Sequence, residues 1–128
     1  MLDDTVKTLA RGKNFAALTT LLPDGQPQTH IMWVDASDDE VIINTEVERQ
    51  KFRNITRDPR VTVTIFDAAN PYRYAEVRGR VRATVTGAEA RAHIDQLSEK
   101  YTGKPYANPI GSERVIVKIA PERSRLNG

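Results

Sequence analysis

Cysteine is absent from this chain of 128 residues, and histidine occurs only twice. Without cysteine the chain can form no disulfide, and it can supply no thiolate as a nucleophile or metal ligand. His30 and His93 lie far apart in the sequence, so a zinc site is not expected. No segment approaches the roughly 20 consecutive apolar residues that a membrane-spanning helix requires. These absences leave a soluble domain without a membrane partner as the expectation.

The fingerprints of several nucleotide-binding and hydrolytic folds are also missing. The sequence contains no Gly-x-Gly-x-x-Gly, no Gly-x-x-x-x-Gly-Lys-Ser/Thr and no Gly-x-Ser-x-Gly. Lysine and arginine total 19 against 17 acidic residues, a balance too even for a strongly basic nucleic-acid binder. The row Arg78, Arg80 and Arg82 is better interpreted as a solvated face or dimer rim than as a nucleic-acid stripe. The first residues lack the pattern of a signal peptide, which predicts a cytoplasmic protein.

Hydrophobic periodicity predicts a mainly β chain of one domain, residues 1–128, without repeats or linkers. Strands are expected over residues 15–22, 28–34, 41–45, 60–66, 72–86 and 113–120. Helices are expected from Asp3 or Asp4 to Gly12, over about 49–57, and from a Thr86–Glu89 capping box to Gly103. Residues 35–40 are interpreted as a polar turn and residues from 121 onwards as a short polar tail. Most strands are linked as hairpins, so an antiparallel, closed or nearly closed barrel with helices at its ends is predicted.

Two strands carry further information. The longest, residues 72–86, alternates with period two, and Gly79 in its middle predicts a bend or bulge. In the strand over 28–34, alternation places Thr29, Ile31 and Trp33 on one side. The single tryptophan is therefore expected beside the strand over 41–45.

The junction between the strand at 41–45 and the following helix is rich in cations. Free backbone N–H groups and the helix dipole make such a start suitable for a phosphate or carboxylate, and Arg49 and Lys51 add charge. Two helix starts remain open. A Thr45–Glu48 capping box would begin the helix early and separate the two cations. A start at Arg49, which we favour, would let both cations hold one anion; a surface helix with solvated side chains is the alternative.

Over nearly its whole length the chain resembles the split-barrel flavin and deazaflavin oxidoreductases, the superfamily of pyridoxamine 5'-phosphate oxidase. The resemblance is carried by Pro23-Asp-Gly25, a strand ending in Asn44-Thr45, Arg49-x-Lys51-x-x-Asn54, Arg57-Asp-Pro-Arg-Val61, and the long strand with Tyr74 and Gly79. The most specific piece is Arg49-x-Lys51-x-x-Asn54 followed by Arg57-Asp-Pro-Arg-Val61, which is similar to the branch that uses coenzyme F420 rather than FMN.

This resemblance implies a six-stranded antiparallel split β-barrel of the FMN-binding type, with short helices. It also implies a homodimer with two equivalent cofactor grooves, each lined by both subunits. Nine residues are then expected to contact the cofactor: Asn44, Thr45, Arg49, Lys51 and Asn54 at its tail, and Thr29, Ile31, Trp33 and Tyr74 at its ring.

The implied activity is an F420-dependent oxidoreductase that transfers a hydride between reduced deazaflavin and a small unsaturated organic substrate. Because the cofactor carries the chemistry, no essential catalytic residue and no metal are expected. FMN-using relatives hold the flavin phosphate with an Arg and a Lys on the second strand, where this chain has His30 and Asp35, and a carboxylate there would repel phosphate. An FMN-binding reductase remains one alternative. A non-catalytic carrier of a cofactor or tetrapyrrole is the other.

Overall fold

The computed structural model describes all 128 residues as seven strands and three helices. In chain order the elements are α1 (Asp4–Arg11), β1 (Phe15–Leu21), β2 (Pro27–Met32), β3 (Asp35–Ala36), β4 (Val41–Glu46), α2 (Gln50–Arg57), β5 (Arg60–Phe66), β6 (Tyr74–Val85), α3 (Ala88–Thr102) and β7 (Arg114–Asn127). None of the helices is long and apolar enough to cross a membrane.

The seven strands form one antiparallel sheet in the order β2-β1-β5-β6-β7-β4-β3. The sheet curls into a split barrel, which confirms the predicted fold class. The seventh strand is an addition to the six expected. Asp35 and Ala36 were interpreted as part of a turn, but they pair with Ile42 and Val41 in a short hairpin.

The polar tail predicted after residue 120 is wrong. The chain from Pro121 to Asn127 continues β7 and pairs with the first half of β6. Its side chains beyond Pro121 are exposed, so no alternation of apolar and polar residues marks it as a strand. Backbone pairing with a long neighbour, rather than burial, holds this segment in the sheet.

The inner face of the curled sheet packs against α1. Valine and isoleucine from β4, β5 and β7 meet Val6, Leu9 and Ala10 in a core cluster of 18 buried residues. Asp3, one of the two caps expected, caps α1 by accepting hydrogen bonds from the N–H groups of Thr5 and Val6. The helix thus covers the side of the barrel opposite to the exposed sheet face.

Gly79 marks the predicted bulge. The pairing of β6 with β7 shifts register between Arg78 and Gly79. A Cβ atom at this position would lie 2.2 Å from the carbonyl oxygen of Ala120, so only glycine allows the two strands to approach this closely. The bulge lets the long strand bend around the barrel.

The predicted start of α2 is confirmed, and the predicted capping box of α3 is wrong. Arg49 is the N-cap of α2, which confirms the later start and rules out the early capping box. The capping box predicted for α3 is wrong because Gly87, at φ 81°, is its N-cap and no side chain caps it. Gly103 ends α3 in the left-handed conformation, as expected.

Candidate functional site

The junction of β4 with α2 is organised by a buried carboxylate. Glu46 is the last residue of β4, and its side chain is only 5% exposed. One oxygen, Oε2, accepts from Arg49 Nη2 and from Arg114 Nη1, both at 3.3 Å. The other, Oε1, accepts from the backbone N–H of Ser112 at 2.7 Å and from its hydroxyl at 3.2 Å. Although burial raises the pKa of Glu46, the bonds from Ser112 and Arg49 outweigh it and hold the pKa below its usual value.

Lys51 is the cation of this junction that lacks a partner. It lies on the first turn of α2, is half-buried, and forms no ion pair within the chain. Burial, followed by the charges of Arg49 and Arg114, lowers its pKa from the ordinary lysine value. Three cations therefore converge where the chain supplies one carboxylate, Glu46. We call Arg49, Lys51 and Arg114 the cation cluster; its excess charge suits an anionic ligand.

Arg114, the first residue of β7, is a site residue that the sequence analysis missed. Its side chain is 7% exposed, and its Nε donates to Asn44 Oδ1 at 2.9 Å. The pairing of β7 with β4 places it opposite Glu46. A cation directly before the apolar residues 115–117 was the available signal, but the register that brings it to Glu46 exists only in the sheet.

A cavity of about 240 Å³ adjoins the cation cluster. Arg114, Asn44 and Asn108 line its polar side, and Met32, Trp33 and Tyr106 lie among its apolar and aromatic walls. The Trp33 ring is stacked on Tyr101 of α3, with centroids 5.1 Å apart and planes at 4°. The cavity is thus bounded by the end of β2, by β4, by α3 and by the loop before β7.

The prediction that Trp33 lies beside the strand over 41–45 needs correction. β2 is an edge strand next to β1, and it does not pair with β4. Trp33 follows β2 and packs on α3 instead. The curl of the sheet nevertheless brings Trp33 and Asn44 to the walls of one cavity.

The predicted tail residues other than the cations are largely occupied within the chain. Asn44 Nδ2 lies 3.0 Å from both the Ala90 carbonyl oxygen and His93 Nδ1. Thr45 is 5% exposed and pairs with Val115. Asn54 is fully buried, and its Nδ2 donates to Thr20 Oγ1 at 2.9 Å. These contacts hold β4 and α2 in place, and direct contact of the three side chains with a cofactor stays a prediction.

Of the four predicted ring residues, Trp33 lines the cavity, and Thr29, Ile31 and Tyr74 lie on the outer sheet face. Ile31 is 61% exposed and Thr29 is exposed, with its hydroxyl 2.7 Å from that of Thr19. Tyr74 begins β6 opposite Phe66, so β1 and β5 separate it from β2. Within one chain, Tyr74 and Ile31 therefore do not form a single contact site.

His30 and Asp35, the two positions that distinguish FMN-using relatives, lie in different surroundings. Burial, and then the charge of Lys51, lower the pKa of His30, which places it near the cation cluster. The resemblance to FMN-using relatives placed Asp35 on the second strand. In the structure Asp35 lies on β3. Its Oδ2 lies 4.0 Å from His93 Nε2. Repulsion of a flavin phosphate by Asp35 is therefore a weaker argument than the sequence indicated.

A curled antiparallel sheet with a basic strand–helix junction beside an aromatic cavity defines a split-barrel protein. The pyridoxamine 5'-phosphate oxidase family matches residues 2–128, and the chain belongs to that family. The superfamily resemblance seen in the sequence is thereby confirmed.

Solved structures refine this placement. A structure described as an F420 reductase is 31% identical, with a TM-score of 0.83, over 97% of this chain and 98% of the other. A conserved hypothetical protein from Mycobacterium tuberculosis is 28% identical, with a TM-score of 0.77, over 99% of this chain and 84% of the other. A Listeria innocua protein, described as a putative pyridoxamine 5'-phosphate oxidase, shares the fold at 20% identity and a TM-score of 0.68, over 92% and 90% of the chains. The match to the F420 reductase supports the F420 branch predicted from the basic motifs, and the Listeria match shows the shared fold.

Proposed function

We propose that this protein is an F420-dependent oxidoreductase that acts on a small unsaturated organic substrate. The observation that carries the proposal is the surface side of the cation cluster: Arg49 and Lys51 lie beside a single carboxylate, Glu46, which is already paired with Arg114. A cofactor with an acidic tail of phosphodiester and glutamates complements that excess charge. The likeness to an F420 reductase supports this cofactor over others of the fold.

The residues present fit such a tail. Arg49 is 61% exposed at the N-cap of α2, and Lys51 follows on the first turn, so both can reach an anion at the surface. Free N–H groups at the helix start add donors. When bound, the deazaflavin supplies hydride chemistry. The chain contributes binding charge, a fixed orientation beside β2, and aromatic side chains that exclude water from one side of the site.

A second copy of the chain completes the site in this proposal. Ile31 on β2 is exposed and shares the outer sheet face with Ala17 and Thr64, its neighbours along the register of β1 and β5. An apolar, threonine-rich face of this kind is suited to burial in a homodimer. Two equivalent grooves would follow from the two-fold symmetry, and Tyr74 of one subunit could approach the site of the other.

Titration of purified protein with F420 and with FMN tests the cofactor. Trp33 is the only tryptophan, so its fluorescence reports on ligands that bind near the cavity. Tighter binding of F420 than of FMN is expected. Much tighter binding of FMN would overturn the deazaflavin assignment in favour of a flavin enzyme. Tight binding of reduced F420 that no acceptor oxidises in stopped-flow assays would favour a carrier.

A further inference from the structure

The cavity beside Trp33 is polar at one side and apolar elsewhere. Met32, Ile94 and Leu97 form aliphatic wall, and Trp33 and Tyr106 form aromatic wall with their rings edge to face at 6.3 Å. At about 240 Å³ the cavity is smaller than the pockets of drug-sized ligands, which begin at about 300 Å³. Its volume therefore suits one flat ring with a short substituent.

The polar side of this cavity presents one unused donor edge. Arg114 uses Nε on Asn44 and Nη1 on Glu46, and its Cζ lies 5.3 Å from the centroid of the Tyr106 ring; Nη2 has no carboxylate or amide partner in the chain. Asn44 Nδ2 is engaged by Ala90 and His93, so it offers the cavity no free donor. The guanidinium is thus held rigidly by buried partners, with its remaining edge available to a ligand.

The charge of Arg114 is only partly compensated: burial lowers its pKa, and the opposing effects of Tyr106 and Glu46 do not cancel that shift. Glu46 is shared between Arg114 and Arg49, and the lowered pKa of Arg114 is a sign that its charge is poorly solvated. An anionic oxygen in the cavity would relieve that cost. A buried guanidinium binds a carboxylate more strongly than a neutral oxygen because the hydrogen bond is charge-assisted.

We propose that this cavity binds the substrate of the enzyme, and that the substrate is a small, flat, unsaturated carboxylate whose carboxylate is held by Arg114 Nη2. The identification of this ligand as the substrate rests on the proposed function. The carboxylate site itself does not require a cofactor. Arg49 and Lys51, at the surface, remain for the cofactor tail. Arg114 thereby separates substrate recognition from cofactor recognition.

The test uses the purified full chain without cofactor. Cinnamate, a flat unsaturated carboxylate, and cinnamyl alcohol, its neutral analogue, are titrated while Trp33 fluorescence is followed. Cinnamate is expected to bind at least tenfold more tightly than the alcohol. Arg114→Gln should abolish that preference, whereas Arg123→Gln, which removes an exposed arginine of β7, should leave it unchanged.

A second variant keeps the proposal testable if Arg114→Gln fails to fold. Asn108 is exposed and lines the cavity, so Asn108→Phe narrows it without touching the Arg114–Glu46 pair. Loss of cinnamate binding in this variant supports the site. The proposal is overturned if acid and alcohol bind equally or if neither binds. It is also overturned if Asn108→Phe binds cinnamate as well as the unmodified chain does.

Titration of the same preparations with F420 separates the two proposals. If F420 binds and cinnamate does not, the substrate assignment is refuted and the proposed function is retained. Binding of cinnamate without F420 would overturn the proposed function and uphold a carboxylate site on Arg114.

Discussion

Arg114 and Glu46 form an ion pair in which both side chains are more than nine-tenths buried, with 3.3 Å between Nη1 and Oε2. Two chain segments 68 residues apart in sequence, the start of β7 and the end of β4, meet through this pair. Such a pair adds little stability compared with apolar residues of the same shape, but removal of one partner leaves a buried charge. The pair therefore links the stability of the barrel to the charge of the site.

Glu46→Gln is expected to lower the free energy of unfolding by about 3 kcal/mol, because Arg114 then stays buried without a counter-ion. Urea unfolding at neutral pH measures the loss. Glu48→Gln is the matched control, since Glu48 is exposed and forms no ion pair. Equal stability of the two variants would show that solvent screens Arg114.

The same carboxylate predicts an acid dependence. The pKa of Glu46 is lower in the folded chain than the value of about 4.3 in the unfolded chain. Its contribution is therefore complete above the unfolded pKa and is lost as the pH falls through the folded pKa. Unfolding measured from pH 6 to pH 3 should show a smaller loss of stability in Glu46→Gln than in the unmodified chain.

His93 predicts a second pH effect at milder acidity. Burial lowers its pKa, Lys100 and Arg114 add to that effect, and Asp35 and Glu89 oppose it. Between its folded pKa and about 6.5, the unfolded chain binds a proton that the folded chain does not. Stability should therefore fall as the pH falls through this range.

Urea unfolding between pH 8 and pH 5 measures this effect. His93→Gln should flatten the curve of stability against pH. The comparison variant is His30→Asn, which removes the other histidine whose pKa is lowered. A rise in stability on acidification would show that Asp35 governs the protonation of His93.

Lys51→Ala should weaken F420 binding by about 1.5–3 kcal/mol, the range for a hydrogen bond to a charged group. Its charge has no partner in the chain, so the fold should tolerate the change. Isothermal calorimetry gives the dissociation constant, and Lys104→Ala, an exposed lysine in the loop before β7, is the control. An unchanged constant would remove Lys51 from the site.

Gly79→Ala should destabilise the barrel by at least about 3 kcal/mol, at the upper end for overpacking, because the new methyl group meets a backbone carbonyl of β7 at 2.2 Å. Thermal unfolding reports the change. Gly25→Ala provides the comparison: its φ is 88° but its surroundings are open, so only backbone strain applies. Similar melting temperatures for the two variants would mean that β6 and β7 separate easily.

Ile31→Glu should convert a dimer to a monomer, because it places a charge on the proposed interface. Sedimentation velocity distinguishes the two forms. Leu126→Glu introduces the same charge at another exposed apolar residue and should leave the dimer intact. A monomer before mutation would refute the shared groove.

Local features were the most predictable. The cap of α1, the Gly79 bulge and the Gly103 stop follow from backbone chemistry within a few residues, whereas the start of α2 at Arg49 goes against the local capping-box rule. The two capping boxes predicted at Thr45–Glu48 and Thr86–Glu89 do not form. Thr86 does not cap α3 because Gly87 turns the chain first.

The sequence by itself determined the alternating strands, the helix stops and the charge at the β4–α2 junction, because each depends on residues that are neighbours in the chain. Only the tertiary structure decided that β2 lies at an edge, that residues 121–127 continue β7, and that Arg114 joins the cation cluster. Those facts depend on strand order and register. Both are set by packing and backbone pairing between segments far apart in sequence, and no local pattern encodes them.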